Sequence, residues 1–255
     1  MAEAILITGG ASGIGAETAR LAAGRGYSIA INYRSRDADA KAVVAGIIAK
    51  GGTAVALPGD VSRQDDVIRL FDETEQALGP VTGLVNSAGI DGGTSRVEDF
   101  DPAVLARLFA VNVIGLMLCC REAARRMSTR RGGKGGAIVN VSSMAATIGG
   151  RPGKSHYAAT KAAVDSFTVG FAKEVAAEGI RVNSVRPGMI DTEMTEAGLR
   201  DPTVRAAIES TIAMARVGRT SEIANAILWL LSDEATFISG ATLDASGGGF
   251  VFGRK

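Results

Sequence analysis

The sequence has few of the residues that build metal sites or covalent cross-links. Its 255 residues include one histidine, His156, and two cysteines, Cys119 and Cys120. Adjacent cysteines are poorly placed for a disulfide within a helix, and no Cys-x-x-Cys pair or Cys/His cluster is present. We therefore predict neither a disulfide-stapled fold nor a metal site, and we interpret both thiols as small core or interface residues.

The sequence also lacks a strong charge of either sign and a long apolar segment. With 28 Lys and Arg against 27 Asp and Glu, the net charge is +1, which gives no electrostatic footprint for nucleic acid or an anionic membrane. No segment resembles a signal peptide, and no apolar run approaches the roughly 18 residues of a membrane span. We therefore expect a cytoplasmic protein that binds neither nucleic acid nor membrane.

Short apolar runs alternate with helical patterns along the whole chain. The predicted strands are Ala4–Thr8, Ser28–Tyr33, Thr53–Leu57, Val81–Asn86, Ala137–Val141, Arg181–Val185 and Ala241–Asp244. The predicted helices are Gly13–Arg25, Asp37–Lys50, Gln64–Leu78, Pro102–Ser128, Tyr157–Glu178 and Ser221–Leu231. Strands that are apolar on both faces are typical of a parallel sheet covered on both sides. The pattern predicts an α/β fold with a doubly wound parallel sheet of about seven strands and helices on both faces.

No linker or internal repeat divides the chain, so residues 1–255 are predicted to form one domain. The least regular segments are Met144–Ser155 and Gly188–Thr220. In an open α/β sheet, ligands bind outside the carboxyl ends of the strands, where such segments lie. We expect the site there.

The first predicted strand runs directly into a glycine-rich turn and then a helix. The turn contains Gly9, Ser12, Gly13, Ile14 and Gly15. Glycines allow a sharp turn and close backbone approach to a pyrophosphate, and the following helix offers free N–H groups. A purely structural turn is the alternative, but the position within a β-α-β unit favours dinucleotide binding.

The end of the second predicted strand carries basic residues where an acidic one favours NAD(H). A carboxylate there holds the ribose 2′-hydroxyl, whereas arginine accommodates a 2′-phosphate. Between the start of the second predicted strand and Asp37 no acidic residue occurs, and Arg34 and Arg36 could pair with the phosphate. We therefore predict NADP(H) rather than NAD(H), with a solvated basic loop as the alternative.

A tyrosine and a lysine, Tyr157 and Lys161, lie four residues apart, which places both on one helix face. Alone, this pair would be a common surface feature. Ser143 closes a strand upstream, and Asn112 follows a helical run. Together these residues form the candidate catalytic set.

The ordered motifs resemble the short-chain dehydrogenase/reductase family over the whole chain, including its glucose-dehydrogenase-like and 3-oxoacyl-carrier-protein-reductase-like members. The matching residues are Thr8-Gly9-x3-Gly13-Ile14-Gly15, Gly59-Asp60-Val61, Asn86-Ser87-Ala88-Gly89, Asn112, Ser143, Tyr157-x3-Lys161 and Pro187-Gly188-Met189-Ile190-x-Thr192. The resemblance implies a Rossmann-type domain. It also implies that Asp60 and Val61 contact adenine, that Asn86 to Gly89 lie beside the cofactor, and that Ile190 and Thr192 flank the nicotinamide.

The chemistry expected of the four catalytic candidates follows from the need to move a hydride and a proton. The cofactor supplies the hydride. Tyr157 is the predicted general acid/base, and the positive charges of Lys161 and of an oxidised nicotinamide are together expected to lower its pKa from about 10. The resemblance implies that Lys161 also holds the nicotinamide ribose and that Asn112 holds a water linked to Lys161. Ser143 is predicted to hydrogen-bond the substrate oxygen, with Ser142 as the alternative, because strand alternation lets only one of them face the site.

Two surface features have competing interpretations. The basic run of Arg121, Arg125, Arg126, Arg130, Arg131 and Lys134 could dock an acidic carrier protein or simply be a solvated helix end, which we favour. His156 could contact substrate, but adjacent helix positions face different directions, so we favour a non-catalytic role.

Apolar residues near the end of the chain also have two interpretations. Met189, Met194, Leu199, Ile208, Ile212 and Met214 could form an adaptable lid or ordinary packing. By resemblance, the tail Ser246–Phe252 packs against another subunit, which implies a homotetramer.

These observations predict an NADP(H)-dependent oxidoreductase that interconverts a small-molecule carbonyl and a secondary alcohol. A 3-oxoacyl-carrier-protein reductase is the alternative within the enzymes. A non-catalytic NADP(H)-binding sensor or scaffold is the alternative from another class, although such proteins often lose the Tyr or the Lys.

Overall fold

The computed structural model describes residues 3–249, in which seven parallel strands form one sheet. The strands are β1 (Ala4–Thr8), β2 (Ser28–Tyr33), β3 (Ala54–Pro58), β4 (Val81–Asn86), β5 (Gly136–Val141), β6 (Ile180–Pro187) and β7 (Thr242–Ala245). Their order is β3-β2-β1-β4-β5-β6-β7. Every residue of β1 and β2 is buried, as expected for strands covered on both faces. The predicted Rossmann-type fold is confirmed.

Helices cover both faces of the sheet. They are α1 (Gly13–Gly24), α2 (Asp37–Ile48), α3 (Gln64–Leu78), α4 (Pro102–Phe109), α5 (Leu116–Met127), α6 (Ala145–Ile148), α7 (Ser155–Val175), α8 (Glu193–Leu199), α9 (Pro202–Ser210) and α10 (Thr220–Leu231). On one face Ile5 and Ile7 pack in a core with α1, α2 and α10. On the other face Leu6, Leu84 and Ile138 pack in a second core with α3, α5 and α7.

The strand order reverses between β1 and β4, since the chain builds outward from β1 to β3 and then returns to the other side of β1. Such a reversal opens a crevice at the carboxyl ends of the two strands. The glycine turn after β1 and the Ser87–Gly89 segment after β4 therefore meet at one place.

The helix predicted over Pro102–Ser128 is interrupted. Residues Ala110–Gly115 form a π-helical segment between α4 and α5. A Cβ on Gly115 would lie 2.9 Å from Val61 Cγ2, so a glycine at this position allows the helix to pack closely against the loop after β3.

The expectation that no apolar run approaches a membrane span also needs correction. By length and composition alone, the helical segment Pro102–Met127, which includes the π-helical residues, is long and apolar enough to cross a membrane. Its residues Leu108, Cys119, Cys120 and Ala123 are fully buried within the protein. Packing in the protein core thus accounts for part of the apolar character of this helix, whereas Val104, Phe109 and Ile114 are exposed.

The two segments predicted to be irregular contain short helices, α6 in the first and α8 and α9 in the second. Asp201 caps α9 by accepting hydrogen bonds from Thr203 N (2.8 Å) and Val204 N (3.4 Å), and Pro202 occupies its first turn. Of the tail assigned to a subunit contact, Phe250, Val251 and Phe252 lie outside the described residues.

Candidate active site

A cleft of about 690 Å³ opens at the carboxyl ends of β1 and β4. Among the residues predicted to act in the site, those lining it are Gly9, Ser12, Gly13, Ile14, Arg34, Asp60, Val61, Ala88, Gly89, Ser143, Tyr157, Lys161, Pro187, Gly188, Ile190 and Thr192. Gly15, Asn86 and Asn112 are not part of the lining. One cleft therefore joins the predicted dinucleotide turn to the predicted catalytic set.

The glycine turn requires glycine at two positions for steric reasons. A Cβ on Gly9, whose φ is +65°, would lie 2.8 Å from Ala88 Cα. A Cβ on Gly15 would lie 2.4 Å from the Gly9 carbonyl oxygen. Gly15 therefore lies beneath the turn and not at the cleft surface, and its lack of a side chain lets α1 pack closely against the turn.

The amino end of α1 presents free backbone donors to the cleft. Its N-cap residue, Ser12, makes no side-chain capping hydrogen bond within the described chain. The first N–H groups of a helix have no partner inside the helix, and they carry the positive end of its dipole. Gly13 leaves room above them, since its missing Cβ would be 3.6 Å from the nearest atom, Thr192 Cγ2. This combination fits a pyrophosphate.

Asn86 is buried beneath the cleft instead of beside a cofactor. Its Nδ2 donates to Asn140 Oδ1 at 2.9 Å and lies 3.3 Å from Cys120 Sγ. The segment after it is held by Thr8, whose Oγ1 accepts hydrogen bonds from Ser87 N and Ala88 N, both at 3.1 Å. The Asn86 side chain therefore does not line the cleft, because the last residue of β4 points into the core.

The loop after β2 brings two arginines to the cleft. Arg34 and Arg36 both line it. Arg36 pairs with Asp39 at 3.6 Å and contacts the carboxylate of Glu193. Arg34 forms no ion pair among residues 3–249, so its guanidinium is available to an anionic ligand.

Asp60 lines the cleft and is held by three donors. Its Oδ1 accepts hydrogen bonds from Ser62 N (3.0 Å) and Ser62 Oγ (2.7 Å), and its Oδ2 accepts one from Arg107 Nη2 (2.8 Å). Burial disfavours the ionised carboxylate, but these hydrogen bonds and the Arg107 charge hold its pKa below the usual value. Arg107 also lines the cleft. The sequence analysis did not identify it, because its place in a predicted helix gives no sign that it contacts Asp60.

The two serines after β5 face different partners. Ser142 is 2% exposed, and its Oγ donates to the Lys161 carbonyl at 3.1 Å. Ser143 Oγ accepts a hydrogen bond from Ala145 N at 3.1 Å and shares a side-chain hydrogen bond with Tyr157. Ser143 thus adjoins the phenol, in the arrangement that the sequence predicted.

Tyr157 and Lys161 project from α7 toward this wall of the cleft. Lys161 Nζ donates to the Val141 carbonyl at 2.8 Å and lies 5.7 Å from the centre of the Tyr157 ring. Burial lowers the pKa of Lys161 to about 8 despite the nearby charge of Asp165.

Burial raises the pKa of Tyr157 to about 12, opposed by its hydrogen bond with Ser143 and reinforced by Asp91. The sequence-based expectation was a lowered pKa. Among the protein's own groups, burial outweighs the hydrogen bond with Ser143, and the lowering expected from Lys161 together with an oxidised nicotinamide stays a prediction.

Asn112 braces the site from behind. Its Oδ1 accepts a hydrogen bond from Ile90 N at 2.9 Å, and its Nδ2 donates to Ile90 O (2.8 Å) and Thr160 Oγ1 (3.2 Å). Both N–H groups of the side-chain amide are therefore used within the protein, whereas Oδ1 accepts one of the two hydrogen bonds it can take. The amide ties the segment after Gly89 to α7, one residue before Lys161, and the water expected at Asn112 stays a prediction.

His156 turns away from the cleft, as its helical position predicts. It is 4% exposed, packs edge-on against Phe100 with 5.0 Å between ring centres, and places Nε2 3.4 Å from the Gly92 carbonyl. Next to it, Lys154 Nζ pairs with Asp91 at 2.6 Å, and both residues line the cleft near Tyr157. Sequence reasoning did not single out this ion pair, because 63 residues separate its members.

The basic run is largely neutralised within the chain. Glu122, 3% exposed, pairs with Arg121, Arg125 and Arg126. Arg126 also reaches two carboxylates on α3, and Arg130 pairs with Glu178. This geometry supports the interpretation as a charged helix end over carrier-protein docking.

The apolar residues predicted as a lid divide into three groups, one of which is Met214 alone, an exposed residue that does not line the cleft. Leu199, Ile208 and Ile212 are buried in a small separate core, which is ordinary packing. Met189 packs against that core and also lines the cleft, as does the half-exposed Met194. Methionine adapts readily to ligand shape, so these two are the members suited to contact a substrate.

Comparisons with known proteins agree with the fold and identify the family. The family model described as enoyl-(acyl carrier protein) reductase matches residues 9–249. The uncharacterized oxidoreductase YgfF of Escherichia coli is 44% identical over 95% of this chain and 98% of its own length. A 3-oxoacyl-[acyl-carrier-protein] reductase of Synechocystis is 36% identical over 98% of each chain. A blue fluorescent protein from a metagenomic library, solved in complex with NADPH, superposes with a TM-score of 0.87 at 31% identity, over 96% of this chain and 97% of that protein.

Proposed function

The chain belongs to the short-chain dehydrogenase/reductase family and is an NAD(P)-dependent oxidoreductase of carbonyl and hydroxyl groups, and from that premise we propose that it transfers a hydride between NADP(H) and a small carbonyl or secondary alcohol. One observation carries the proposal. Ser143, Tyr157 and Lys161 line the same cleft as the glycine turn, so a dinucleotide and a substrate can share it.

The residues of the cleft fit a dinucleotide at each of its parts. The uncapped amino end of α1 would hold the pyrophosphate, Asp60 and Val61 the adenine, and Lys161 the ribose next to the nicotinamide. Ala88, Gly89, Pro187, Gly188, Ile190 and Thr192 would surround the nicotinamide half. When bound, the nicotinamide supplies or accepts the hydride.

Tyr157 handles the proton of the reaction. With a pKa of about 12 it is protonated at neutral pH, so in reduction its hydroxyl can give a proton to the carbonyl oxygen. Ser143, which already hydrogen-bonds Tyr157, donates to the same oxygen as negative charge develops there. In alcohol oxidation Tyr157 must first lose its proton, which the positive charge of a protonated Lys161 favours.

Asn112 is proposed as a positioning residue. Because its amide joins Ile90 to Thr160, it fixes the cleft wall after β4 relative to α7. Replacing it would shift Lys161 without removing any group that contacts a ligand.

We assign the preference for NADP(H) to Arg34, the cleft arginine that has no ion pair in the described chain. Arg34→Glu is expected to weaken NADPH binding more than NADH binding, because a carboxylate repels the 2′-phosphate and accepts a hydrogen bond from the 2′-hydroxyl. A fluorescence titration with both cofactors measures this, and an equal effect on both would refute the assignment.

The remaining parts of the proposal concern organisation. We propose that residues 1–255 act as one domain, consistent with the single sheet, and that the chain forms a homotetramer by analogy with its family. The two thiols are unpaired and buried, which agrees with a reducing cytoplasm.

The role of Tyr157 is tested by Tyr157→Phe, with Tyr27→Phe as a matched control on a tyrosine outside the cleft. We expect Tyr157→Phe to keep NADPH binding within about twofold and to lose at least ~100-fold in turnover, the low end of general acid–base contributions. The measurements are an NADPH titration and kcat on a panel of small ketones and β-keto esters. Undiminished turnover in Tyr157→Phe would exclude the proposed role.

A 3-oxoacyl-carrier-protein reductase is the second candidate, favoured by the likeness to the Synechocystis protein of that name. Carrier docking requires exposed, unpaired cations, and the basic run is mostly paired. If the chain does act on carrier-bound substrates, the double variant Arg130→Ala/Arg131→Ala should lower the turnover of a carrier-bound substrate and leave that of a free substrate unchanged. The third candidate function is a non-catalytic NADP(H) sensor, for which we expect tight NADPH binding with no turnover of any substrate tested.

A further inference from the structure

A charged contact crosses the cleft between two segments that are far apart in sequence. Arg36 lies in the loop after β2, and Glu193 is the first residue of α8; both line the cleft. The Arg36 guanidinium contacts the Glu193 carboxylate, with the two side chains 47% and 50% exposed. The pair therefore joins the loop that carries Arg34 to the segment that covers the glycine turn.

The charges around this loop balance. Arg34, Arg36 and Lys41 are positive, and Asp37, Asp39 and Glu193 are negative.

Asp37 pairs with Lys41 at 2.8 Å, and Asp39 with Arg36 at 3.6 Å. Asp37 and Asp39 lie in α2, directly after this loop, whereas Glu193 belongs to α8, far away in the sequence. Its removal would leave the loop with a net charge of +1.

We propose that Glu193 is a specificity-determining residue: its carboxylate occupies Arg36 and thereby lowers the affinity of the cleft for a ligand that carries a 2′-phosphate. This rests on the proposed function, in which the 2′-phosphate of NADP(H) binds at the loop after β2. A 2′-phosphate must take Arg36 from Glu193, whereas a 2′-hydroxyl has no charge with which to compete. The preference for NADP(H) over NAD(H) is therefore set by Arg34 and moderated by Glu193.

The expected magnitude follows from the exposure of the pair. Exposed ion pairs are worth about 0.2–1 kcal/mol, which corresponds to a change in affinity of up to about fivefold. Glu193→Gln is expected to tighten binding of a 2′-phosphorylated ligand by about two- to fivefold. Salt should reduce the effect, since exposed charges are screened.

The test uses two fragments that lack the nicotinamide, adenosine 2′,5′-bisphosphate and adenosine 5′-monophosphate, measured by isothermal titration calorimetry at low salt. We expect Glu193→Gln to tighten the bisphosphate and leave the monophosphate unchanged. Glu196→Gln is the matched control, because Glu196 lies in the same helix, is also 50% exposed, and pairs with Arg200 at 2.8 Å. In an Arg36→Met background, the effect of Glu193→Gln should fall by at least half.

Three results would overturn the inference: an equal change for both fragments, the same change in Glu196→Gln, or an undiminished effect in the Arg36→Met background. The outcome is separable from that of the proposed function. If the wild type binds both fragments alike while Glu193→Gln binds the bisphosphate more tightly, the NADP(H) preference fails and the role of Glu193 stands. If the wild type prefers the bisphosphate and Glu193→Gln matches it, the preference stands and the role of Glu193 fails.

Discussion

Lys161 is a buried cation, and its removal has a calculable effect on stability. Its pKa falls from the usual 10.5 to about 8 because burial disfavours the charged form. At pH 7 the folded chain holds the lysine charged, at a cost of about 3 kcal/mol at 1.36 kcal/mol per pH unit. Lys161→Met removes this cost but leaves the Val141 carbonyl, which Nζ contacts at 2.8 Å, without that donor, a loss of about 1 kcal/mol. We therefore expect Lys161→Met to be more stable than the wild type by about 2 kcal/mol at pH 7, although inactive.

The sign of the pH dependence follows from proton linkage. Between pH 8 and 10.5 the unfolded chain holds a proton on this lysine that the folded chain has largely released, so wild-type stability rises with pH in that range. With pKa values of 8 and 10.5, the cost of burial falls from about 3 kcal/mol at pH 7 to about 2 kcal/mol at pH 9. The advantage of Lys161→Met should therefore shrink to about 1 kcal/mol at pH 9.

The assay is urea unfolding at pH 7 and pH 9, followed by the fluorescence of the single tryptophan, Trp229. Lys173→Met serves as the control, since Lys173 is an exposed lysine in the same helix, and it should change with pH as the wild type does. If the difference between Lys161→Met and the wild type is the same at both pH values, Lys161 does not titrate near 8 and the reasoning fails.

Two further predictions concern the turn and the serines. Gly15→Ala places a Cβ 2.4 Å from a backbone oxygen, so it should weaken NADPH binding at least about tenfold and destabilise the chain by about 1–3 kcal/mol. Gly24→Ala is the control, because a Cβ at this position, at the end of the same helix, would have nothing within 4 Å; it should leave binding unchanged. Fluorescence titration measures NADPH binding and thermal unfolding measures stability for both variants. Ser143→Ala should lower kcat with little change in stability, whereas Ser142→Ala should cost about 1 kcal/mol of stability because it removes a buried hydrogen bond. Steady-state kinetics and urea unfolding measure the two effects. A loss of kcat in Ser142→Ala together with a loss of stability in Ser143→Ala would contradict this assignment.

The sheet could be predicted from the sequence because its strands are short apolar runs bounded by turn residues. The bounds predicted for β1, β2 and β4 agree with the structure. The π-helical interruption in the long helix could not be predicted, since four of the five residues 110–114 are apolar and the segment suits a continuous α-helix. Gly115 was the available signal, because a glycine inside a helix is costly without a packing reason, and its missing Cβ faces Val61.

Most of the residues predicted for the site do line one cleft, but the positions of several others could not be predicted. Periodicity places Tyr157 and Lys161 on one face, and the family resemblance, now confirmed, supplies the rest. Asn86 and Asn112 were expected to act at the ligand, yet both are at most 3% exposed. Their amides join strands and helices that are distant in sequence, and such contacts are decided by tertiary packing and leave no local pattern.

The same limit applies to the electrostatics of the proposed catalytic pair, because they depend on burial as well as on charge. Charge alone suggested that Lys161 would lower the pKa of Tyr157, since the sequence shows the cation but not the burial. In the folded chain burial acts on both groups and favours the neutral form of each, so the phenol keeps its proton and the ammonium loses its own more readily. A protonated phenol hydrogen-bonded to Ser143 can donate its proton to a carbonyl oxygen in reduction. Alcohol oxidation needs the phenolate, and its formation depends on keeping Lys161 charged beside it.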